Sequence, residues 1–273
     1  MKNNLQQFKF PRYRTYSWIV PLIILLVLVA LWEIWIQLGD IPKWQLPAPS
    51  AIAKELVASW SLLLHHGYIT LQEVLAGFLI ALVSGLLLAA AIVRSKILER
   101  AILPILVSSQ TIPIIAIAPL LLIWVGYGLA SKIIVVALIS FYPITVNTID
   151  GLKAINSDMI AMMKSLGASR WQIFTKLQIP TSLPYMFSGI KVGISISVIG
   201  AVIGEWVGAS GGLGYLITYS QPLFLTSRVF AAIFVLSVMG IGLFALAGWV
   251  ERLMLPWYYA EKRAKAINQQ FNQ

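Results

Sequence analysis

Between residues 156 and 180 the chain reads Asn156-Ser157-Asp158-Met159-Ile160-Ala161-Met162-Met163-Lys164-Ser165-Leu166-Gly167-Ala168-Ser169-Arg170-Trp171-Gln172-Ile173-Phe174-Thr175-Lys176-Leu177-Gln178-Ile179-Pro180. Ser157 is suited to cap a short helix whose first turn carries Asp158, a favourable charge against the helix dipole. Gly167 is suited to end that helix in the left-handed conformation. Ser169 then caps a second helix, and Pro180 marks its end. The expected product is a helix-turn-helix of about 20 residues, too polar to lie in lipid. It exposes Met159, Met162, Met163 and Leu166, and flexible Met side chains suit a surface that repacks against a partner. A surface hairpin that only pads its neighbours fits the same residues equally well.

On both sides of this segment the chain is strongly apolar. Six stretches, at about 18–38, 71–93, 101–124, 132–149, 184–207 and 229–250, approach the roughly 20 apolar residues that cross a hydrocarbon core. Of 273 residues, 59% are hydrophobic and 11% charged, where a soluble domain carries roughly 25% charged residues. So few charges do not cover a water-facing surface. The expected fold is therefore an all-α integral membrane protein of about six transmembrane helices. One membrane domain covers 18–250, between a short segment at 1–17 and a polar tail at 251–273. The first stretch is longer than the roughly 7–15-residue core of a cleaved signal. It ends in the bulky Trp32-Glu33-Ile34-Trp35, so it reads as a retained span. The chain has no cysteine, which excludes disulfides, thiolate metal sites and a cysteine nucleophile.

The net charge of +10 lies between the apolar stretches and reads as membrane topology, not as a nucleic-acid footprint. With the N-terminus in the cytoplasm, the inner segments hold Lys2, Lys9, Arg12 and Arg14; Arg94, Lys96 and Arg100; Lys153, Lys164, Arg170 and Lys176; and Arg252, Lys262, Arg263 and Lys265. The outer segments hold only Lys43, Lys54, Lys132 and Arg228. This asymmetry puts both termini and the 150–183 loop inside.

Several local features carry further expectations. Pro104, Pro113 and Pro119 make the third stretch irregular, with a break expected near Gln110-Thr111-Ile112-Pro113. In the outer segment 39–70, Ser50 follows a Pro47-Ala48-Pro49 breaker as a helix cap. Ile52, Leu56, Trp60, Leu63 and Leu64 then repeat at helical spacing, as in an amphipathic helix lying on the membrane surface. Polar residues inside spans are costly and are read as functional candidates. Gln110, Asn147, Lys191 and Ser195 are the candidates for a translocation path. Lys191 could also pair with Glu205 of another helix or subunit, but reads better as a cation that snorkels toward the head groups or bonds a neighbouring helix, and Glu33 and Glu205 read as carboxylates exposed at span ends. Gly208, Gly211, Gly212 and Gly214 lack the Lys-Ser/Thr of a phosphate loop and read as a turn. His65-His66 reads as a solvated pair. No nucleophile–base–acid set is apparent, so no catalysis and no cofactor are expected in this chain.

The spacing of Gly167, nine residues, Leu177 and Ile179-Pro180 resembles the signature loop of permeases in binding-protein-dependent ATP-binding-cassette importers. The resemblance implies a type I importer-like fold and a cytoplasmic coupling loop that docks on an ATP-hydrolysing subunit. Asp158, Met159, Met162, Met163, Leu166, Gly167, Ala168 and Ser169 are the residues carried onto that role. One position departs from the pattern: the family's Glu six residues before the glycine is Ala161 here. Leu46-Pro47-Ala48-Pro49-Ser50, Thr70 to Phe78, Phe141-Tyr142-Pro143-Ile144 and Gly212-Leu213-Gly214-Tyr215 resemble the branch that imports nitrate, alkanesulfonates, taurine and vitamin precursors. Ser109 to Pro119 is similar to permeases for the thiamine pyrimidine precursor and riboflavin. The resemblance implies an ATP-binding-cassette ATPase that binds the ATP, an extracytoplasmic substrate-binding protein, a second permease copy and a bacterial inner membrane. The solutes implied are a heteroaromatic vitamin precursor first and a sulfonate- or nitrate-like anion second. A secondary transporter would place more ionisable residues at mid-depth, often with internal repeats, and none beyond Lys191 is visible.

Overall fold

The computed structural model describes residues 19–260. The 1–17 segment, Trp18 and residues 261–273 of the polar tail lie outside the described residues, and with them Lys2, Lys9, Arg12, Arg14, Lys262, Arg263 and Lys265. The described residues are helices joined by turns and short irregular segments, with no strand among them.

The first helix, α1 (Ile19–Leu38), buries only Ile36. Its Glu33 carboxylate accepts the Ser50 backbone N–H at 2.9 Å and the Ser50 hydroxyl at 2.7 Å. Those contacts satisfy the open amide end of α2 (Pro49–Ala58), the end that favours negative charge. Ala48 is the N-cap and Pro49 opens the helix, so Ser50 binds Glu33 and does not cap. The amphipathic helix expected through Leu64 stops at Ala58. Trp60, Leu63 and Leu64 begin a separate 35-residue helix, α3 (Trp60–Arg94). The apolar face of α2 (Ile52, Leu56) packs into a core with Leu63 and Leu213.

The third apolar stretch is two helices, α4 (Lys96–Ser109) and α5 (Ile114–Val125), bent by 100°. The break falls where the sequence places it. Pro113 has no N–H and keeps Ile112 out of the helical region. The Ser109 and Thr111 hydroxyls each bond a carbonyl three residues back, both at 2.7 Å.

The centre of the bundle is α6 (Leu129–Lys153). Beyond it come α7 (Ser157–Ser165), α8 (Arg170–Ile173), a π-helical turn (Phe174–Gln178), α9 (Ile179–Trp206), α10 (Leu213–Ser220) and α11 (Thr226–Met254). The most extensive packing is of α6 on α9 and on α3. Small residues make it close: Gly77, Ala81, Gly85 and Ala89 form one buried stripe of α3. Gly189, Gly193, Gly200 and Gly204 line the facing side of α9. A Cβ on Gly193 would stand 2.9 Å from Ile144, and one on Gly204 would stand 3.2 Å from the Lys132 backbone. Backbones approach this way when small residues repeat every four positions. Pro180 does not end the second helix of the 156–180 segment. It lies in the first turn of α9, and helix runs on from Arg170 to Trp206. A proline removes one helical bond, and the wider π turn before it carries the backbone past without a stop.

Five helices are each long and apolar enough to cross a membrane, and the count is six when the bent α4–α5 pair is taken as one span. The expected count of about six fits this range of five to six.

Candidate functional site

The α7–α8 hairpin stands at one end of the bundle. Asn156, not Ser157, is the N-cap of α7, its side chain accepting the Asp158 N–H at 2.9 Å. At the other end of α7 the Gly167 N–H donates to the Lys164 carbonyl and the Ala168 N–H to the Met163 carbonyl, both at 3.0 Å. That pair of bonds is a complete Schellman stop, and Gly167 makes it at φ +78° with open space around it. Ser169 and Gln172 then form a reciprocal capping box at the start of α8. The turn is therefore determined by local chemistry at both ends. Met159, Met162 and Leu166 are exposed by 49%, 59% and 76%. Asp158, Ala161, Gly167 and Ser169 are also exposed, and Met163 and Ala168 are half-buried. The result is an apolar, flexible surface on a stiff turn.

At the opposite end lies a buried polar network. Lys132 of α6 reaches Glu73 of α3 at 2.8 Å, the two side chains 9% and 0% exposed. Glu205 of α9 is buried and accepts from the Thr70 hydroxyl at 2.7 Å and from the Gly214 N–H. Thr70 in turn accepts the Leu213 N–H at 2.8 Å, and His66 Nδ1 accepts the Gly212 N–H at 3.1 Å. The glycine segment is thus the start of α10, its open amides satisfied by side chains of α3 and α9. Glu205 is not an exposed end charge and His66 is not solvated, since both face this turn. Burying such groups is tolerated because they are paired and hydrogen-bonded.

Between α5, α9 and α11 lies a cavity of about 850 Å³ that is open along one side. Ser195, Trp206, Ser237 and Phe244 line it, with aliphatic side chains making up most of the rest. Of the four residues singled out for a path, Ser195 is on this wall. Gln110 is exposed at the α4–α5 elbow. Asn147 donates to the Pro143 carbonyl at 2.8 Å and packs where a Cβ on Gly189 would stand 2.8 Å from it. Lys191 pairs with Glu251 of α11 at 2.6 Å, so its charge is matched within the bundle, and Glu205 is not its partner.

The family described as binding-protein-dependent transport system inner membrane components matches residues 77–256, which include α6, the hairpin, α9 and the network turn. The chain belongs to this family. Two relatives extend the likeness nearly end to end. The formylaminopyrimidine transport permease ThiX of Halalkalibacterium halodurans is 39% identical, over 89% of this chain and 98% of its own length. The riboflavin transport system permease RibX of Chloroflexus aurantiacus is 37% identical over 93% of each. Among solved structures, an inward-facing MetNI methionine ATP-binding-cassette transporter matches with a TM-score of 0.64 at 19% identity. That match covers 72% of this chain and 97% of the other, and it supports the type I importer fold. The protein is a multi-pass, non-catalytic permease subunit of an ATP-binding-cassette importer.

Reading the permease from sequence missed Glu73 and Lys132 as a pair, and misplaced His66 and Glu205. A signal was present. His66, Thr70, Glu73 and Gly77 follow each other by four, three and four residues, so they share one helix face. That face continues into the small stripe of Ala81, Gly85 and Ala89. A face of small residues is a packed face, so polar residues on it are buried and need partners.

Proposed function

We propose that this permease imports a small, uncharged heteroaromatic solute of the thiamine-pyrimidine or riboflavin type, with the α7–α8 hairpin transmitting ATP-driven motion. The observation that carries the reading is the hairpin: an exposed Met159, Met162 and Leu166 surface held on a stop and a cap that leave it no other shape. Asp158, Met163, Gly167, Ala168 and Ser169 shape or flank the dock. In this account an ATPase subunit grips that surface, and its closure on ATP shifts the bundle from inward- to outward-facing by biasing a two-state element. Two permease copies enclose the path, and a substrate-binding protein delivers solute at the network end. Both termini face the cytoplasm.

The cavity between α5, α9 and α11 supports the solute class. Its wall offers aromatic faces at Trp206 and Phe244 and hydroxyls at Ser195 and Ser237, with no charged side chain. Flat rings with a few polar edges suit such a wall. An anion would call for an unmatched cation on the path, and Lys191, the one charged path candidate, is paired with Glu251. In this reading Ser195 and Gln110, at the elbow that precedes α5, are the path residues, and Asn147 and Lys191 serve helix packing.

The test is uptake into proteoliposomes holding the permease, its ATPase and its binding protein. ATP-dependent uptake of a labelled aminopyrimidine or flavin, unchanged when ion gradients are collapsed, is expected. Uptake of a sulfonate in preference to the ring would overturn the solute class. Uptake that follows an ion gradient and ignores ATP would overturn the mechanism.

A further inference from the structure

At the hairpin end, a groove of about 870 Å³ separates the last turn of α3 and the start of α4 from the hairpin. Four cations line it: Arg94 and Lys96 from the bundle, Lys164 and Arg170 from the hairpin. None of its lining residues is acidic. Among the described residues none of the four takes part in an ion pair. Like charges drawn toward one cavity repel, and the arrangement is favourable when an anion sits between them.

The rest of the wall is apolar apart from Gln178, from Val93, Ile173 and Phe174 among others, with Trp171 at its exposed edge. Arg94 closes the apolar run of α3, so the groove sits where hydrocarbon gives way to head groups. Basic pockets between helices at this level suit phosphate head groups, and Arg forks grip phosphate in two-point fashion. An indole at the rim belongs to the same interfacial zone.

The groove does not compete with the exposed methionine surface. Ile160 and Lys164 are four residues apart and share the stripe of α7 that turns to the groove. Met159, Met162 and Leu166 occupy another stripe. Both faces can be occupied together.

We infer that this groove binds the phosphate head group of an anionic phospholipid from the leaflet on the hairpin side. The four cations hold the phosphate, and the acyl chains lie along the apolar wall. A lipid held there ties the hairpin to α3 and α4, and so stiffens the element that carries motion into the bundle.

The experiment is native mass spectrometry of the permease–ATPase complex titrated with phosphatidylglycerol or phosphatidylcholine. The wild type is expected to retain about one phosphatidylglycerol per permease chain at concentrations where phosphatidylcholine is stripped. Arg94→Gln/Lys164→Gln/Arg170→Gln is expected to weaken that retention at least about 10-fold, equivalent to about 1.4 kcal/mol. Lys43→Gln/Lys54→Gln/Arg252→Gln, which removes the same charge elsewhere, is expected to keep it. The single change Lys164→Glu, on an exposed hairpin position, gives the same loss without touching the bundle and covers a triple variant that fails to fold. Equal losses in both triples, no preference for phosphatidylglycerol, or its full displacement by millimolar inorganic phosphate would each overturn the lipid assignment.

Discussion

Lys132 Nζ stands 2.8 Å from Glu73 Oε1, on helices 59 residues apart in the chain, with both side chains closed off from solvent. The pair ties α6 to α3 next to the point where Glu205 and Thr70 hold the start of α10. Removing one partner of a buried pair strands the other charge, which costs about 3–5 kcal/mol. Lys132→Met is therefore expected to lower the thermal midpoint of the purified permease sharply. The double change Lys132→Met/Glu73→Leu should recover much of the loss, as a double-mutant cycle in detergent will read. Additive losses would mean that the pair is not coupled.

Two glycines with left-handed backbone should respond differently to alanine. A Cβ on Gly212, at φ +109°, would overlap the Glu205 carboxylate, whereas one on Gly167, at φ +78°, meets nothing within 4 Å. Gly167→Ala thus carries only the local backbone cost, about 1–2 kcal/mol. It should leave bundle stability nearly intact while weakening the hairpin. Gly212→Ala breaks the network itself and should reduce both folded yield and thermal midpoint. Size-exclusion profiles and melting curves of the two variants separate these outcomes.

How far the chain could be read in advance follows the range of the interactions. Gly167 and Ser169 announced the hairpin because a stop and a cap act within a few residues. Pro113 announced the elbow for the same reason. Asn156 displaced Ser157 as the cap, a one-residue shift between two residues of equal capping ability. Pro180 misled because a proline is tolerated in the first turn of a helix, and the π turn before it lets α8 run on into α9. The Glu73–Lys132 and Thr70–Glu205 contacts join residues 59 and 135 positions apart, and no local pattern pairs them. Lys191 was visible as a buried cation, but its partner Glu251 lies on α11 just beyond the expected end of the last span.

The Lys191–Glu251 contact at 2.6 Å makes a charge-reversal test direct. Lys191→Glu or Glu251→Lys alone should impair folding and transport, and the two together should restore a substantial part of both. Solute selectivity should be unchanged in the restored protein. A restored fold with altered selectivity would place Lys191 on the path.

Glu55 of α2 contacts Arg228 of α11 at 2.8 Å and accepts from the Ser59 hydroxyl at 2.6 Å. Partial burial raises its pKa, but the hydrogen bonds from Ser59 and Arg228 and the Arg228 charge outweigh it, holding the carboxyl below its ordinary value. A depressed carboxylate pKa stabilises the folded form above the unfolded value, and that contribution is lost as pH falls through the folded value. Hydrogen exchange of α2 amides should therefore quicken selectively in mildly acidic-to-acidic buffer. Glu55→Gln should abolish that dependence, and an unchanged profile in the variant would assign it to another group.

The most direct measurement is co-purification of tagged permease with its ATPase, comparing wild type with Met162→Asp/Leu166→Asp. The exposed hairpin surface leads us to expect the ATPase with the wild type and its loss from a variant that still inserts and elutes as a folded species. Full retention of the ATPase by that variant would contradict the role given to the hairpin.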